Sequence, residues 1–182
     1  YMSIKKSNMR SVILNIYGGE AVYHPNIEYL LQRSSELYKP YKDKWPLVRQ
    51  LTTNASCGQD KWKKISKHIE YITFSWHSDG PAKLKDNFVK NLEITHSSGM
   101  KYQVIVLMYP KRWQECVDAL TLFKKRGYNV RPKLLVGDEG VYTDLQLNDL
   151  AEYFPEFNSE FIERFKDNKM QRQGRACCGG KS

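Results

Sequence analysis

Residues 12–20 form the stretch VILNIYGGE, a short β-branched run that leads directly into two glycines and an acid. The run is typical of a parallel strand that is buried on both faces, with apolar side chains at Val12, Ile13, Leu14 and Ile16. Two glycines at its end permit a sharp turn and allow a ligand to approach the main chain closely. Glu20 is therefore expected at the carboxyl edge of a strand, where parallel α/β sheets place their chemistry.

The rest of the chain repeats this strand-then-helix pattern. Hydrophobic periodicity predicts five strands, at residues 11–17, 47–53, 71–76, 102–109 and 128–136, the last broken by Pro132. It predicts five helices, at residues 26–38, 59–68, 83–98, 113–126 and 143–154. Repeated βα units indicate an α/β fold with a parallel sheet, either doubly wound or an arc of a (β/α) barrel. No Gly-x-Gly-x-x-Gly follows the first strand, so nothing supports a dinucleotide-binding version.

Composition limits the classes of protein. A chain of 182 residues makes one domain or slightly more, and its net charge is +9. No apolar run approaches the roughly 20 residues of a membrane span, and no signal-peptide segment is evident, so we expect a cytoplasmic protein without membrane contact. The basic residues are spread over predicted helices and fit a solvated surface. The alternative is a non-catalytic basic α/β module that binds nucleic acid or another anionic partner.

Polar residues cluster where the predicted strands end. The set comprises Gly18, Gly19 and Glu20; Thr52, Thr53 and Asn54; Ser75 and His77; Met108 and Pro110; and Lys133 to Val136. It holds one acid and no evident nucleophile–base pair. Such a set suits the binding of a zwitterionic or ribose-bearing ligand better than hydrolysis. A cofactor-free barrel enzyme that uses Glu20 and His77 for acid–base catalysis is disfavoured, because no second well-placed carboxylate is visible.

These motifs, in this order, resemble the radical S-adenosylmethionine (radical SAM) enzymes over about residues 11 to 180. The resemblance is carried by GGE at 18–20, TTN at 52–54, TFSWH at 73–77 and VLMYP at 106–110. The stretch GRACCGG at 174–180 also resembles the start of the cysteine-rich extension that holds an auxiliary iron–sulfur cluster in some members. The resemblance implies five of the six βα units of a (β/α)6 partial barrel in residues 1–155, with a C-terminal extension in residues 156–182.

The resemblance also implies an activity. A [4Fe–4S] cluster, held by Cys-x3-Cys-x2-Cys and reduced by an electron donor, would cleave S-adenosylmethionine to a 5′-deoxyadenosyl radical. That radical would abstract hydrogen from an unknown substrate, which is a peptide, a protein or a sugar in related enzymes.

Site roles follow from the resemblance by position. Gly18, Gly19 and Glu20 would hold the methionine amino group. Ser75 and His77 would contact the ribose or the carboxylate, Thr52 and Asn54 would line the same pocket, and Leu135, within Lys133 to Val136, would pass the adenine. Simpler interpretations stay open from the residues alone: Glu20 as a solvated turn acid, Asn54 as a turn cap and His77 as a structural histidine.

The cysteines depart from the family pattern. The sequence has four, and none forms the three-cysteine loop. We expect that loop before Tyr1, in a longer polypeptide, so the 182 residues alone are expected to be inactive. Cys57 and Cys116 are predicted to be reduced thiols, whereas Cys177 and Cys178 are candidate ligands of an auxiliary cluster, with a zinc site or plain thiols as alternatives.

Overall fold

A computed structural model describes residues 11–135 and 141–155, together with residues 160, 162 and 163. The described residues form five strands: β1 Val12–Ile16, β2 Leu47–Thr53, β3 Tyr71–Trp76, β4 Lys101–Met108 and β5 Val130–Leu134. They also form five α-helices: α1 Ile27–Tyr38, α2 Gln59–Ser66, α3 Ala82–Ser97, α4 Trp113–Lys125 and α5 Asp144–Tyr153. Strands and helices alternate throughout, so the predicted order of βα units is confirmed.

The five strands form one parallel sheet in the order β1-β2-β3-β4-β5. Neighbouring strands are consecutive in sequence, and right-handed crossovers then place every connecting helix on the same face. A doubly wound sheet reverses its strand order and carries helices on both faces. The architecture is therefore a partial parallel (β/α) barrel, and the face opposite the helices, here called the open face, corresponds to the interior of a barrel.

The helix-covered face holds the hydrophobic core, which is centred on Phe74 in β3. Its ring lies 5.4 Å from that of Trp62 in α2 and 5.6 Å from that of Phe88 in α3, measured between centroids. Trp76, two residues later on the same face, contacts Phe88 and Phe123 of α4 with ring centroids 5.0 and 5.2 Å apart. One strand thus joins three helices, and its side chains at Thr73 and Ser75 point to the open face.

The expected burial of the first strand on both faces is wrong. Ile13 is 53% exposed and Leu14 is 39% exposed. β1 is the edge strand of the sheet and pairs only with β2 among the described residues. The helix that follows it also exposes Leu30 and Leu37, while Ile27 and Leu31 are buried. β1 and α1 therefore carry more apolar side chains than the described residues bury.

The fifth strand differs from its prediction in a smaller way. Pro132 does not break β5 but lies within it, buried and paired with Val106 of β4. Proline lacks an N–H donor and is tolerated on an edge strand, where that donor is not needed for a second neighbour. β5 pairs only with β4 among the described residues, which satisfies this condition.

Arg49 of β2 ties the start of β3 to the first helix. Its backbone N and its Nε donate to Glu70 Oε2 at 2.6 and 3.0 Å, and its guanidinium also pairs with Glu70 Oε1. The same guanidinium donates to Ser35 Oγ of α1 and to Leu31 O at 3.4 Å. Burial acts to raise the pKa of Glu70, but the hydrogen bonds and charge of Arg49 outweigh it and hold that pKa below 4.5.

Several expectations fall on residues outside the described ranges. Val136 and the extension at Cys177 and Cys178 are among them, and the proposed division at residue 155 stays a prediction. Within the described part of the chain, every helix is too short or too polar to cross a membrane.

We predict that Glu70→Gln lowers the free energy of unfolding at pH 7 by about 1–2 kcal/mol. This loss is smaller than for a fully buried ion pair, because the Glu70 side chain is 38% exposed and water screens its charge. The folded-state pKa of Glu70 is depressed, so its contribution is present above pH 4.5 and is lost as the pH falls through the folded value. Urea unfolding of both proteins at pH 7 and pH 3 measures this effect, and the difference between them should shrink at pH 3.

Glu36→Gln is the matched control, because Glu36 pairs with Arg33 on the exposed surface of α1. It should change the unfolding free energy by less than about 0.5 kcal/mol. Equal losses in the two variants would contradict the role given to the Arg49–Glu70 pair.

Candidate functional site

The turn after β1 depends on two glycines with positive φ angles, +102° at Gly18 and +42° at Gly19. A Cβ atom built on either glycine meets no atom within 4 Å. Backbone conformation, not lack of space, therefore requires glycine at both positions. The turn delivers Glu20 to the start of a short 3-10 helix, Ala21–Tyr23, where its Oε1 accepts a hydrogen bond from Val22 N at 3.3 Å.

The Glu20 carboxylate also joins this turn to the end of β2. Thr53 Oγ1 donates to Glu20 Oε1, and Asn54 N donates to Glu20 Oε2 at 2.7 Å. Together with Val22 N, three protein donors occupy a half-buried carboxylate. A carboxylate offers about four acceptor positions, so one remains for a further donor. Glu20 is thus a structural acid with acceptor capacity left over.

Asn54 caps the turn that follows β2. Its Oδ1 accepts hydrogen bonds from Ser56 N at 3.1 Å and from Ser56 Oγ. Ala55, between them, is fully buried and has a φ of +46°, an uncommon conformation for a residue with a Cβ atom. The structural interpretation of Asn54 is therefore confirmed, and a ligand contact by its side chain stays a prediction.

Two asparagines of α3, neither of them a predicted site residue, hold this turn in place. Asn91 is fully buried, and its Nδ2 donates to Ala55 O and to Cys57 O, both at 2.8 Å. Asn87, one turn earlier, donates from Nδ2 to Ser56 O at 2.9 Å. The available signal was two amides at i and i+4 on the apolar face of a helix, beside Phe88 and Leu92.

Ser75 and His77 lie at the carboxyl end of β3, as predicted. His77 Nδ1 lies 3.3 Å from the hydroxyl of Tyr109, which follows β4. Lys85 of α3 donates to Ser78 O and places its Nζ 5.8 Å from the centroid of the Trp76 ring. A cavity of about 50 Å³ lies here, and it is lined by Asn54, Ser56, Ser75, Trp76, His77, Gly80, Leu84, Lys85 and Phe88.

The predicted site residues divide between two hollows. Asn54, Ser75 and His77 share the small cavity, whereas Gly18 and Glu20 line a separate hollow of about 400 Å³ beside the start of α1. The hydrogen bond from Asn54 N to Glu20 links the two groups. Thr52 is exposed on the open face, where it pairs in register with Thr73 of β3. Thr53, and not Thr52, hydrogen-bonds to Glu20.

Leu135 lies at the far side of the edge, directly after β5. Its backbone N donates to the Tyr142 hydroxyl at 2.7 Å, and that hydroxyl donates to Met108 O at 2.6 Å. Burial raises the pKa of Tyr142 to about 12, so the hydroxyl keeps its proton and can serve both bonds. The ends of β4 and β5 are thereby fixed relative to each other.

The described cysteines are isolated thiols. Cys57 is 3% exposed, and burial raises the pKa of its thiol to about 11. Cys116 is also buried, with its Sγ 3.3 Å from Ser78 Oγ and from Leu107 O. Across the described ranges, His, Cys, Asp and Glu residues form no group of three able to hold a metal ion. These residues therefore do not fit an iron–sulfur cluster.

Similar folds occur among solved structures. A structure of anSMEcpe, a radical SAM enzyme, with bound AdoMet (S-adenosylmethionine) and Cp18Cys peptide matches with a TM-score of 0.59 at 12% identity, over 87% of this chain and 49% of that chain. Native anSMEcpe with bound AdoMet matches with the same score and identity, over 90% of this chain and 49% of that chain. This chain spans about half the length of these proteins, and over that part it shares their fold. No protein-family model and no curated protein matches the sequence.

We predict that Asn91→Ala lowers the free energy of unfolding by about 2–4 kcal/mol, because it leaves Ala55 O and Cys57 O buried without that donor. Asn87→Ala removes two bonds at a half-buried position, one to Ser56 O and one from Gln59 Nε2, and should cost about 1 kcal/mol. Urea unfolding compares the two. If Asn91→Ala costs no more than Asn87→Ala, the buried amide does not hold the turn as described.

Proposed function

We propose that this chain binds AdoMet along the carboxyl edge of its sheet, as the core of a radical SAM enzyme. The observation that carries this proposal is the Glu20 carboxylate, which is fixed by three donors and keeps one acceptor position at the edge of a radical SAM-like fold. The ammonium group of AdoMet needs such an acceptor, and a charge-assisted hydrogen bond is stronger than a neutral one.

In the proposed complex, each predicted residue has a role that matches its chemistry. The carboxylate of Glu20 and the backbone at Gly18 and Gly19 accept from the methionine amino group. Ser75 and His77, on the neighbouring strand end, hydrogen-bond to the ribose hydroxyls or to the methionine carboxylate. Thr52 and Asn54 line the pocket between them, and Leu135 packs against the adenine.

The size of the cavity bears on where the ligand lies. The cavity at Ser75 and His77 has a volume of about 50 Å³, whereas small-molecule sites generally enclose about 300 Å³ or more. AdoMet therefore lies over the strand ends and the adjoining open face, with only part of it in that cavity.

In radical SAM enzymes a [4Fe–4S] cluster supplies the electron that cleaves AdoMet reductively, which starts hydrogen abstraction from the substrate. The described residues contain no ligand set for this cluster. Three further parts of the proposal rest on the resemblance alone. These are an auxiliary cluster held by Cys177 and Cys178, an electron donor, and a peptide, protein or sugar substrate.

Calorimetric titration with AdoMet tests the proposal. Glu20→Gln removes the negative charge but keeps an acceptor oxygen, so we predict an AdoMet Kd raised by about 10- to 100-fold. Methylthioadenosine, which lacks the methionine amino and carboxylate groups of AdoMet, should bind wild type and Glu20→Gln equally. That second ligand separates loss of the ammonium contact from general damage to the edge.

Thr53→Val is the matched control, because it removes the bond to Glu20 Oε1 and the one from Ala55 N but leaves the carboxylate in place. It should change the AdoMet Kd by less than Glu20→Gln does. Absence of AdoMet binding by the wild-type chain would contradict the proposal. Salt-dependent nucleic-acid binding that survives Glu20→Ala would support the basic binding module instead.

A further inference from the structure

The open face of the sheet has an unusual distribution of charge. Strand register assigns to this face Ile13, Asn15, Val48, Gln50, Thr52, Tyr71, Thr73, Ser75, Lys101, Gln103, Ile105, Leu107, Arg131 and Lys133. Most of these side chains are neutral. The three charged members within the described strands are Lys101, Arg131 and Lys133, and all three are cations.

Arg131 and Lys133 lie together on the last strand. Both are exposed and alternate with the buried residues Val130, Pro132 and Leu134. Among the described residues, neither forms an ion pair. Two neighbouring cations therefore face the same space without a described acidic partner.

Their position relates them to the proposed AdoMet edge. Ile105 of β4 pairs with Ser75 on one side and with Arg131 on the other, so Ser75 and Arg131 lie in one row across the sheet. Two strand spacings separate them, which is about 10 Å. Lys133 lies two residues closer to the carboxyl edge, about 7 Å along the strand. A ligand that contacts Ser75 or His77 is within reach of both cations.

Ordinary solvated surface explains these two residues less well. A surface that only faces water carries both signs of charge interspersed, and this chain has 20 acidic residues to distribute beside 29 basic ones. None of those acids lies on the open face of the described strands. A face whose only charges are cations, beside serine, threonine and glutamine side chains, suits an anionic ligand.

We propose that the open face binds a substrate carrying an oxyanion group, a carboxylate or a phosphate, between Arg131 and Lys133. Arg131 presents a planar fork that matches two oxygens of either group, and Lys133 adds a point charge nearer the edge. The claim that the bound molecule is the substrate rests on the proposed function. The claim of an anion site does not, because it follows from the open face itself.

Two probes, inorganic phosphate and glutarate, test the site and distinguish the two anion types. Each is titrated into ¹⁵N-labelled chain at constant ionic strength, with chloride as the balancing ion, and the amide shifts are recorded. We expect saturable shifts centred on residues 130–134 and 104–107 for at least one probe. In Arg131→Gln/Lys133→Gln, the Kd for that probe should rise at least tenfold.

A charge-matched variant, Lys63→Gln/Lys64→Gln, removes two exposed cations from α2 and should leave the Kd unchanged. Equal weakening in both double variants, or shifts that do not saturate, would overturn the proposal. Asp138 and Glu139 follow β5 outside the described residues. If anions bind only to the variant Asp138→Asn/Glu139→Gln, those two acids neutralise Arg131 and Lys133 in the wild-type chain, and the proposal is also overturned.

An AdoMet titration of the same samples separates this inference from the proposed function. Anion binding without AdoMet binding retains the anion site and rejects its assignment to the substrate. AdoMet binding without anion binding rejects the anion site alone. Where both bind, the AdoMet Kd of a further variant, Arg131→Gln alone, should stay within about twofold of the wild-type value, because Arg131 is assigned to the substrate, whereas Lys133 begins the segment expected to pass the adenine.

Discussion

The helices cover one face of the sheet, and this one-sided cover determines where the rest of the described structure can bind a ligand. Consecutive strand order with right-handed crossovers imposes it, and the aromatic contacts of Phe74 and Trp76 stabilise it. The opposite face keeps threonine, serine, glutamine and cations that a doubly wound sheet would bury beneath helices. Polar chemistry is therefore concentrated on the open face and along the carboxyl edge.

The edge is rigid because its loops bind one another. Glu20 joins the β1 turn to Thr53 and Asn54, and α3 holds the following turn through Asn91. On the other side, Tyr142 joins Leu135 to the end of β4. Fixed donors and acceptors lose little freedom when a ligand arrives, which lowers the cost of binding. The same contacts give Glu20 a structural role in the absence of any ligand.

Most of the fold could be predicted from the sequence, because each strand and helix carries its own periodicity. The positions of Glu20, Ser75 and His77 at strand ends followed from that pattern and from the parallel topology. Exposure of Ile13 and Leu14 could not be predicted, since burial depends on which elements cover an edge strand. The contacts of Asn91 depend on the packing of α3 against a distant turn, and the shared face of Ser75 and Arg131 depends on register across three strands.

The proposed function depends on AdoMet binding at the edge organised by Glu20. A crystal structure of the chain grown with AdoMet tests it most directly. We expect the methionine amino nitrogen within hydrogen-bonding distance of the Glu20 carboxylate, with the ribose beside Ser75 and His77. AdoMet bound away from the carboxyl edge, or a Glu20 carboxylate that contacts only Val22, Thr53 and Asn54 in the complex, would contradict it.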